Sequence, residues 1–372
     1  MIEESTLEAF TGGSTLKLAN AFEPMQEEAM FSHLIRRLTL ALAGLTMISC
    51  TDETTAPRTA VDEVPVENSF ALAANSTSLA AAASNTWIRR ADMPSTERRN
   101  PATAMVRNAA GQSVLYVIGG TTISGASLGK VQAYNVATNT WTYKAEMPTP
   151  RYSSNGTGVI NGKIYISGGL TSYKRYTEAL HMYDPATNRW SAKQPMPETN
   201  ERGVTGVINN QMYVLTGCDQ EDCSDAIIAF YRYNPATNQW AKLPAPPGSL
   251  MRSIAGTIGK KFYVTGNNGQ IGVYDTVTNS WTMKTATGQV PFNATGLALS
   301  AKLYALNLDH GNPDGTVTTS IRVYDPATNA WTKRAPVTLK QIGRLALVVR
   351  EGSPRIEMVG GVRPGNNLQY TP

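Results

Sequence analysis

The sequence predicts an all-β protein built from six four-stranded units arranged in a ring. Three observations lead to this prediction. A short motif with Tyr seven residues before Trp recurs along the chain, and a strand-like apolar run precedes each copy. The two ends of the repeated region also hold complementary parts of one unit. Repeats of this kind determine the architecture before any local feature does.

The recurring motif is "YDPATNRW", which spans Tyr183 to Trp190. Four further copies are "YNVATNTW" ending at Trp141, "YNPATNQW" at Trp240, "YDTVTNSW" at Trp281 and "YDPATNAW" at Trp331. Asp or Asn before Pro favours a type I turn, and the later Asn tolerates the left-handed conformation that ends it. Each copy therefore predicts a tight hairpin with Tyr and Trp on its flanking strands.

A second strand is predicted about twenty residues before each Tyr. These apolar runs, mostly bounded by Gly, are "VLYVIGG" to Gly120, "KIYISGG" to Gly169, "QMYVLTG" to Gly217, "KFYVTGN" to Asn267, "KLYALN" to Asn307 and "RIEMVGG" to Gly361. Their β-branched and aromatic residues are typical of strands. Weaker apolar runs ahead of them, such as "GTGVING" and "RLALVVR", complete four strands per unit.

The number of units follows from the aromatic residues. Trp occurs at positions 87, 141, 190, 240, 281 and 331, at intervals of 54, 49, 50, 41 and 50 residues. The third strands hold Tyr134, Tyr183, Tyr233, Tyr274, Tyr324 and Tyr370. The chain ends in "LQYTP" without a Trp strand, whereas "SNTW" opens the repeats without its partners. We therefore predict six units, with the N-terminal Trp87 strand closing the last one and leaving few free sheet edges.

These residues resemble kelch repeats, through the paired Gly after the second strand, the Tyr of the third and the Trp of the fourth. The resemblance covers residues 84–372 and implies a six-bladed kelch-type β-propeller. Some copies depart from the pattern: Gly217 is followed by Cys, Gly266 by Asn, and the unit around Tyr304 has no Gly pair.

Residues 1–49 predict an export signal. The apolar run at 38–49 is too short to span a bilayer as a helix, two Arg precede it and Cys50 follows it. This arrangement resembles a bacterial lipoprotein signal, which implies that Cys50 is lipidated and becomes the mature N-terminus. A cleaved signal without a lipid and a buried core segment are the alternatives. Acidic residues ahead of the basic pair are unusual for a signal and indicate a translation start at Met30, with Met25 as the alternative.

Residues 50–83 are rich in Ala, Thr, Ser and acidic residues without periodicity, which predicts a flexible tether. We expect an exported protein at the periplasmic or outer cell surface of a bacterium, held to the membrane through its lipid alone. The remaining two Cys residues lie in "CDQEDC". In an exported protein this pair predicts a disulfide between Cys218 and Cys223. A metal site would need more ligands than two Cys, so we expect neither a metal nor a cofactor.

Charge is concentrated in the propeller. The whole chain has 33 basic and 28 acidic residues, and 4 basic and 11 acidic residues precede residue 84. The propeller therefore holds 29 basic and 17 acidic residues, a net charge of +12. This excess indicates either simple solubility or attraction to anions such as acidic glycans or carboxylates. No recognised nucleic-acid-binding module occurs, so no nucleic-acid partner is expected.

A second pattern falls in the connections that leave each fourth strand. They hold Arg98 with Arg99, then Arg151, Arg202, Arg252 and Arg344, with Asn293 in the remaining unit. Because antiparallel strands alternate in direction, these connections share a face with those between strands two and three, and the Tyr-to-Trp hairpins lie opposite. A ring of Arg would form an anion site, since guanidinium binds carboxylates bidentately. The alternative is that each Arg is structural and bonds to carbonyls between blades.

The same face receives the segments 121–130, 170–179 and 308–320, and the loop between the two Cys residues. Tyr173, Arg175 and Tyr176 offer aromatic and cationic groups suited to a sugar, or form an ordinary solvated loop. Asp309 and Asp314, in a predicted Gly-rich loop, could contact calcium or simply form a turn.

Catalytic motifs are largely absent from the sequence. The propeller has His181 and His310 but no HExxH, GxSxG or phosphate-binding loop. Our leading hypothesis is a binding module for an anionic glycan or a protein. The rival is an isomerase, because the chain also resembles six-bladed kelch sialic-acid mutarotases. That resemblance implies a carboxylate clamp and an acid/base group, with Arg202 and Glu201 as the candidates.

Overall fold

The computed structural model describes residues 85–372 except 95–96, 123, 154–155, 173–174, 201–202, 218–227, 249, 251–253, 267–268, 290, 292–293, 312–315, 341–344, 351–354 and 363–365. The chain divides into two units, Met1–Ser76 and Thr77–Pro372. All described residues belong to the second unit, where the regular elements are strands. None of the described residues belongs to a helix long and apolar enough to cross a membrane.

The described chain opens with β1 (Thr86–Arg89) and β2 (Glu97–Arg98), and five antiparallel four-stranded blades follow. Blade 1 contains β3 (Ala102–Arg107), β4 (Ser113–Ile118), β5 (Val131–Asn135) and β6 (Thr140–Lys144). Blade 2 contains β7 (Gly156–Ile160), β8 (Lys163–Ser167), β9 (Leu180–Asp184) and β10 (Arg189–Lys193). Blade 3 contains β11 (Val204–Ile208), β12 (Gln211–Leu215), β13 (Phe230–Asn234) and β14 (Gln239–Leu243).

The two following blades continue the same order. Blade 4 contains β15 (Ala255–Ile258), β16 (Lys261–Thr265), β17 (Gln270–Asp275) and β18 (Ser280–Thr285). Blade 5 contains β19 (Thr295–Leu299), β20 (Lys302–Gly311), β21 (Thr316–Asp325) and β22 (Ala330–Lys340). In each blade the first strand pairs with the second, the second with the third and the third with the fourth.

The sixth blade joins the two ends of the repeated region. It contains β23 (Leu345–Arg350), β24 (Arg355–Val362) and β25 (Asn366–Thr371), and β1 supplies its fourth strand. Trp87 pairs with Tyr370 in this ladder. The predicted six-bladed propeller, closed by the N-terminal Trp87 strand, is confirmed.

The core lies between the faces of neighbouring blades rather than at one centre. One cluster joins Tyr116 of blade 1 to Ile164 and Tyr183 of blade 2, and another joins Tyr304 of blade 5 to Tyr370 of blade 6. Burial of each large apolar side chain contributes about 1.5–3 kcal/mol. The repeated apolar strands therefore stabilise the contacts that close the ring.

The repeated motif joins each blade to the one before it. The Tyr183 hydroxyl donates to Asn188 Oδ1 at 2.7 Å, and the same oxygen accepts the Ala145 amide of blade 1 at 2.9 Å. Trp190 Nε1 donates to the Ala145 carbonyl at 2.9 Å. Asn188 has φ 55°, as predicted for the end of the turn. The same Tyr-to-Asn hydrogen bond occurs in the other blades, as Tyr134–Asn139, Tyr233–Asn238, Tyr274–Asn279, Tyr324–Asn329 and Tyr370–Asn85.

Blade 5 differs from the sequence prediction. We expected a Gly-rich loop over 308–320, but β20 continues to Gly311 and β21 resumes at Thr316. β22 likewise continues through the predicted exit connection to Lys340, and Thr318 pairs with Thr338. The physical reason is that "TVTTS" and "PVTLK" are rich in β-branched residues, which favour pairing over a loop.

Candidate ligand-binding face

The propeller has two chemically different faces. The loop face consists of the connections between strands two and three and those that lead from strand four into the next blade. The hairpin face consists of the connections between strands one and two and the Tyr-to-Trp hairpins. On the hairpin face the turns between strands three and four have one chemistry throughout, because the same Tyr-to-Asn bond recurs. The connections of the loop face, by contrast, differ in length and sequence from blade to blade.

Arg98 lies under the loop face at the junction of blades 6 and 1. Its main chain pairs with Gly361 in β24 of blade 6, and its Nη1 donates to the Val117 carbonyl of blade 1 at 2.8 Å. The residue is fully buried, at 0% exposure. Its Nε and Nη2 have no hydrogen-bond partner among the residues described. Burial lowers the pKa of Arg98 to about 10, which leaves the group charged at neutral pH.

Arg151 occupies the same place between blades 1 and 2. Its carbonyl accepts the Gly120 amide of blade 1 at 2.9 Å. Its guanidinium reaches blade 2, where Nη1 donates to Ala179 O at 3.2 Å and Nη2 donates to Ile166 O at 3.1 Å. Burial lowers its pKa to about 10. Both arginines therefore bond to carbonyls between blades, as the structural alternative expects, and their role in recognition stays a prediction.

His181 completes the contacts of Arg151. Its Nδ1 lies 3.1 Å from Arg151 Nη2. Burial, and secondarily the charge of Arg151, lower the pKa of His181 to about 4. At neutral pH the imidazole is therefore neutral, and its unprotonated Nδ1 accepts the guanidinium N–H.

The next blade junction departs from the predicted Arg pattern. Asn200, rather than Arg202, occupies the place of Arg151, because its carbonyl accepts the Gly169 amide at 2.6 Å. Its Oδ1 accepts the Gly217 amide of blade 3 at 3.1 Å, and the residue is buried. The position holds a link between blades, whichever residue fills it.

The other predicted site residues divide into two groups. Tyr173, Glu201, Arg202, Cys218, Cys223, Arg252, Asn293, Asp314 and Arg344 lie outside the described residues, as does Cys50. The side chains of Asp309 and His310 are also outside what is described. Arg175 is exposed and Tyr176 is half-buried.

The loops of blades 1 and 2 meet on the loop face. Thr121 bridges to Ser127 in the first loop, and Leu170 bridges to Tyr176 in the second. The Ser127 amide donates to Ser172 Oγ at 3.2 Å, which joins the two loops. They therefore form one continuous surface that includes exposed Arg175. Within the described chain, no group of three or more His, Cys, Asp or Glu residues is placed to hold a metal.

Comparison with known proteins agrees with this architecture. The KLHDC2/KLHL20/DRC7 Kelch-repeats domain family matches residues 72–267, more than half of the chain. This chain belongs to that kelch-repeat family. A search of the curated proteins gave no match. Among solved structures, "Structure of YjhT" is similar with a TM-score of 0.56 and 14% identity, over 75% of this chain and 94% of that chain. At this identity the likeness shows the fold alone.

The buried His181 makes the stability of the kelch propeller depend on pH. Its folded pKa of about 4 lies below its unfolded value of about 6.5, so the unfolded chain binds more protons between these values. Its contribution is therefore complete above pH 6.5 and is lost as the pH falls toward 4. We expect a loss of roughly 2 kcal/mol by pH 4.5.

Urea unfolding between pH 7 and 4.5 measures this dependence. His181→Gln is expected to reduce the slope of unfolding free energy against pH. A parent slope unchanged in His181→Gln would contradict the assignment.

Proposed function

We propose that this kelch propeller is an exported, lipid-anchored binding module that holds an anionic glycan or protein ligand on its loop face. The observation that carries the proposal is the difference between the two faces. The Tyr-to-Trp hairpins use their polar groups to join the blades, as Asn188 does with Ala145. The loops of blades 1 and 2 vary in sequence and join into one surface through Ser127 and Ser172.

Charge and side-chain chemistry support an anionic ligand. The propeller carries a net charge of +12. Arg175 is exposed on the joined loops next to half-buried Tyr176. A guanidinium binds a carboxylate through two parallel hydrogen bonds, and an aromatic ring provides an apolar surface beside it. Together these groups suit an acidic sugar or an acidic peptide.

The proposed location depends on the segment before the propeller. Lipidation of Cys50 and a tether at 50–83 would hold the propeller beside a bacterial membrane, in the periplasm or at the cell surface. A disulfide between Cys218 and Cys223 would suit that oxidising environment.

Proton NMR of N-acetylneuraminic acid with the purified protein tests the proposal. We expect the resonances of the sugar to broaden when it binds the parent protein. In Arg175→Ala the broadening should be about tenfold or more weaker, because the carboxylate of the sugar loses its guanidinium partner. Arg107→Ala is the matched control, because Arg107 is also exposed but ends β3 on the hairpin side.

The same spectra separate binding from catalysis. Faster exchange between the sugar anomers, abolished in Glu201→Gln, would support the mutarotase alternative. Broadening that is equal in Arg175→Ala and Arg107→Ala would contradict the loop-face assignment. Absence of any effect would exclude this sugar and leave an acidic peptide as the ligand class.

A further inference from the structure

The fourth strands of the six blades run head to tail around the perimeter. We call this surface the side wall, formed by β1, β6, β10, β14, β18 and β22. The residue that follows β6, Ala145, donates its amide to Asn188, directly before β10. The residue after β10, Gln194, does the same to Asn238, directly before β14. The remaining joints are held by Trp281–Pro244, Asn329–Thr285, Ala335–Asn85 and Ala91–Asn139 contacts.

The side wall has one sign of charge. Its six strands contain nine basic residues and no Asp or Glu. The basic residues are Arg89, Lys144, Arg189, Lys193, Lys242, Lys284, Lys333, Arg334 and Lys340, of which the side chain of Lys340 lies outside what the structure describes. Every blade therefore contributes at least one cation to a track that continues from one blade to the next.

Several of these cations are not neutralised by neighbours. Lys144, Lys193 and Lys284 make no salt bridge with the described residues. By contrast, three lysines that begin the second strands of their blades are paired. These pairs are Lys163–Asp184, Lys261–Asp275 and Lys302–Asp325. Two other side-wall cations are paired, Arg89 with Asp92 and Lys242 with Glu198. The uncompensated charge of the side wall is therefore that of Lys144, Lys193 and Lys284, whereas the second-strand lysines are matched to carboxylates.

We propose that the side wall is a second binding surface, for a linear acidic polysaccharide that follows the perimeter. A five-residue strand spans about 17 Å, so the track offers one or two cations in that length. Nucleic-acid surfaces instead cluster their basic residues in a dense patch or stripe. Tyr143, 61% exposed on β6, adds an aromatic ring on the opposite face of the strand from Lys144. Sparse cations along strands that also expose an aromatic ring suit a polymer of acidic sugars.

Edge protection is a competing explanation for the same lysines. The fourth strand is the outer edge of each blade, and Lys on an edge strand prevents pairing with another sheet. The two explanations differ in a measurable way, because edge protection acts on self-association and not on polysaccharide affinity.

The test compares two triple variants with the same change in net charge. Lys144→Gln, Lys193→Gln and Lys284→Gln together alter the side wall, and Lys163→Gln, Lys261→Gln and Lys302→Gln together are the matched control. Titration calorimetry with polygalacturonate at about 50 mM salt is expected to show roughly tenfold weaker binding for the side-wall variant only. The slope of log K against log salt should fall in magnitude by about 2, because fewer counterions are released on binding when three charge contacts are missing.

Four results would overturn the proposal. Equal weakening in both triple variants would show a response to net charge alone. Tighter binding of a DNA duplex than of polygalacturonate would assign the track to nucleic acid. Self-association of the side-wall variant with unchanged affinity would assign the lysines to edge protection. Absence of polygalacturonate binding by the parent protein would exclude the surface altogether. Loss of N-acetylneuraminic acid binding in Arg175→Ala concerns the loop face and does not bear on the side wall.

Discussion

A chain that begins at Arg90 is expected to lose the cooperative folding of its propeller. This truncation removes β1, whose four residues pair with β25 from Thr86–Thr371 to Arg89–Leu368. It also removes Trp87, whose ring lies 4.9 Å from that of Tyr370. Tyr370 is fully buried in the intact ring and would become uncovered at a sheet edge.

Trp87 is partly buried against the cluster that joins blades 5 and 6, so its removal costs part of what a fully buried aromatic side chain would cost. Removal of a large aromatic side chain from a core costs about 3–5 kcal/mol, and the truncation additionally removes the ladder and both hydrogen bonds of Asn85. In these bonds Asn85 Oδ1 accepts the Tyr370 hydroxyl and the Ala335 amide, each at 2.9 Å. Urea unfolding of a chain from Thr77 and a chain from Arg90 measures the difference.

A rescue experiment tests whether the effect arises from ring closure. A peptide of residues 77–89 added to the shorter chain should restore part of the transition, and the same peptide with Trp87→Ala should restore less. Identical unfolding midpoints for the two chains would show that β1 does not stabilise the ring.

Gly168→Ala is expected to destabilise the protein by roughly 2–5 kcal/mol. Gly168 has φ 66°, a conformation that costs a residue with a Cβ about 1–2 kcal/mol. The added methyl group would also meet the carbonyl oxygen of Asn200 and lie 2.8 Å from its Cβ. Because Asn200 links blades 2 and 3, the clash cannot be relieved without shifting that link, and overpacking of this kind costs a further 1–3 kcal/mol, roughly.

Gly162→Ala is the matched control for this change. Gly162 has φ 74°, but an added Cβ would have no atom within 4 Å. Gly162→Ala should therefore lose only the conformational part of the stability, about 1–2 kcal/mol. Equal losses for the two variants in urea unfolding would show that contact with Asn200 contributes nothing.

The blade number and its closure could be predicted from the sequence because they depend on local chemistry. The turn Asn residues adopt positive φ wherever the motif occurs, as Asn139 and Asn188 show. Alternating apolar residues fix the neighbouring strands, and a Tyr370 strand without a Trp strand requires one from elsewhere. Blade 5 was predicted less well. Gly311 and the residues around Asp314 have the composition of a turn, which led to the prediction of a long loop, but the flanking segments pair as strands.

The Arg pattern shows why the candidate site was harder to predict. Arg98, Arg151 and Arg202 look equivalent in sequence, but the place of Arg151 is filled by Asn200 in the next blade. Arg151 follows Met147 by four residues and Asn200 follows Met196 by four, but Arg98 follows Met93 by five. Neither the residue type nor the spacing from Met is sufficient to identify the equivalent position, which is defined by the backbone contact with the second Gly.

The sequence alone determined the kelch repeat, the six blades and the N-terminal strand that closes them, because turn propensity and strand periodicity are properties of short segments. Only the tertiary structure decided that Arg98 and Arg151 are buried links between blades, and that the fourth strands meet in one basic track. Burial and hydrogen-bond partners come from a neighbouring blade, which lies across a loop or, for Asn85 and Tyr370, at the far end of the chain. No short segment contains that information.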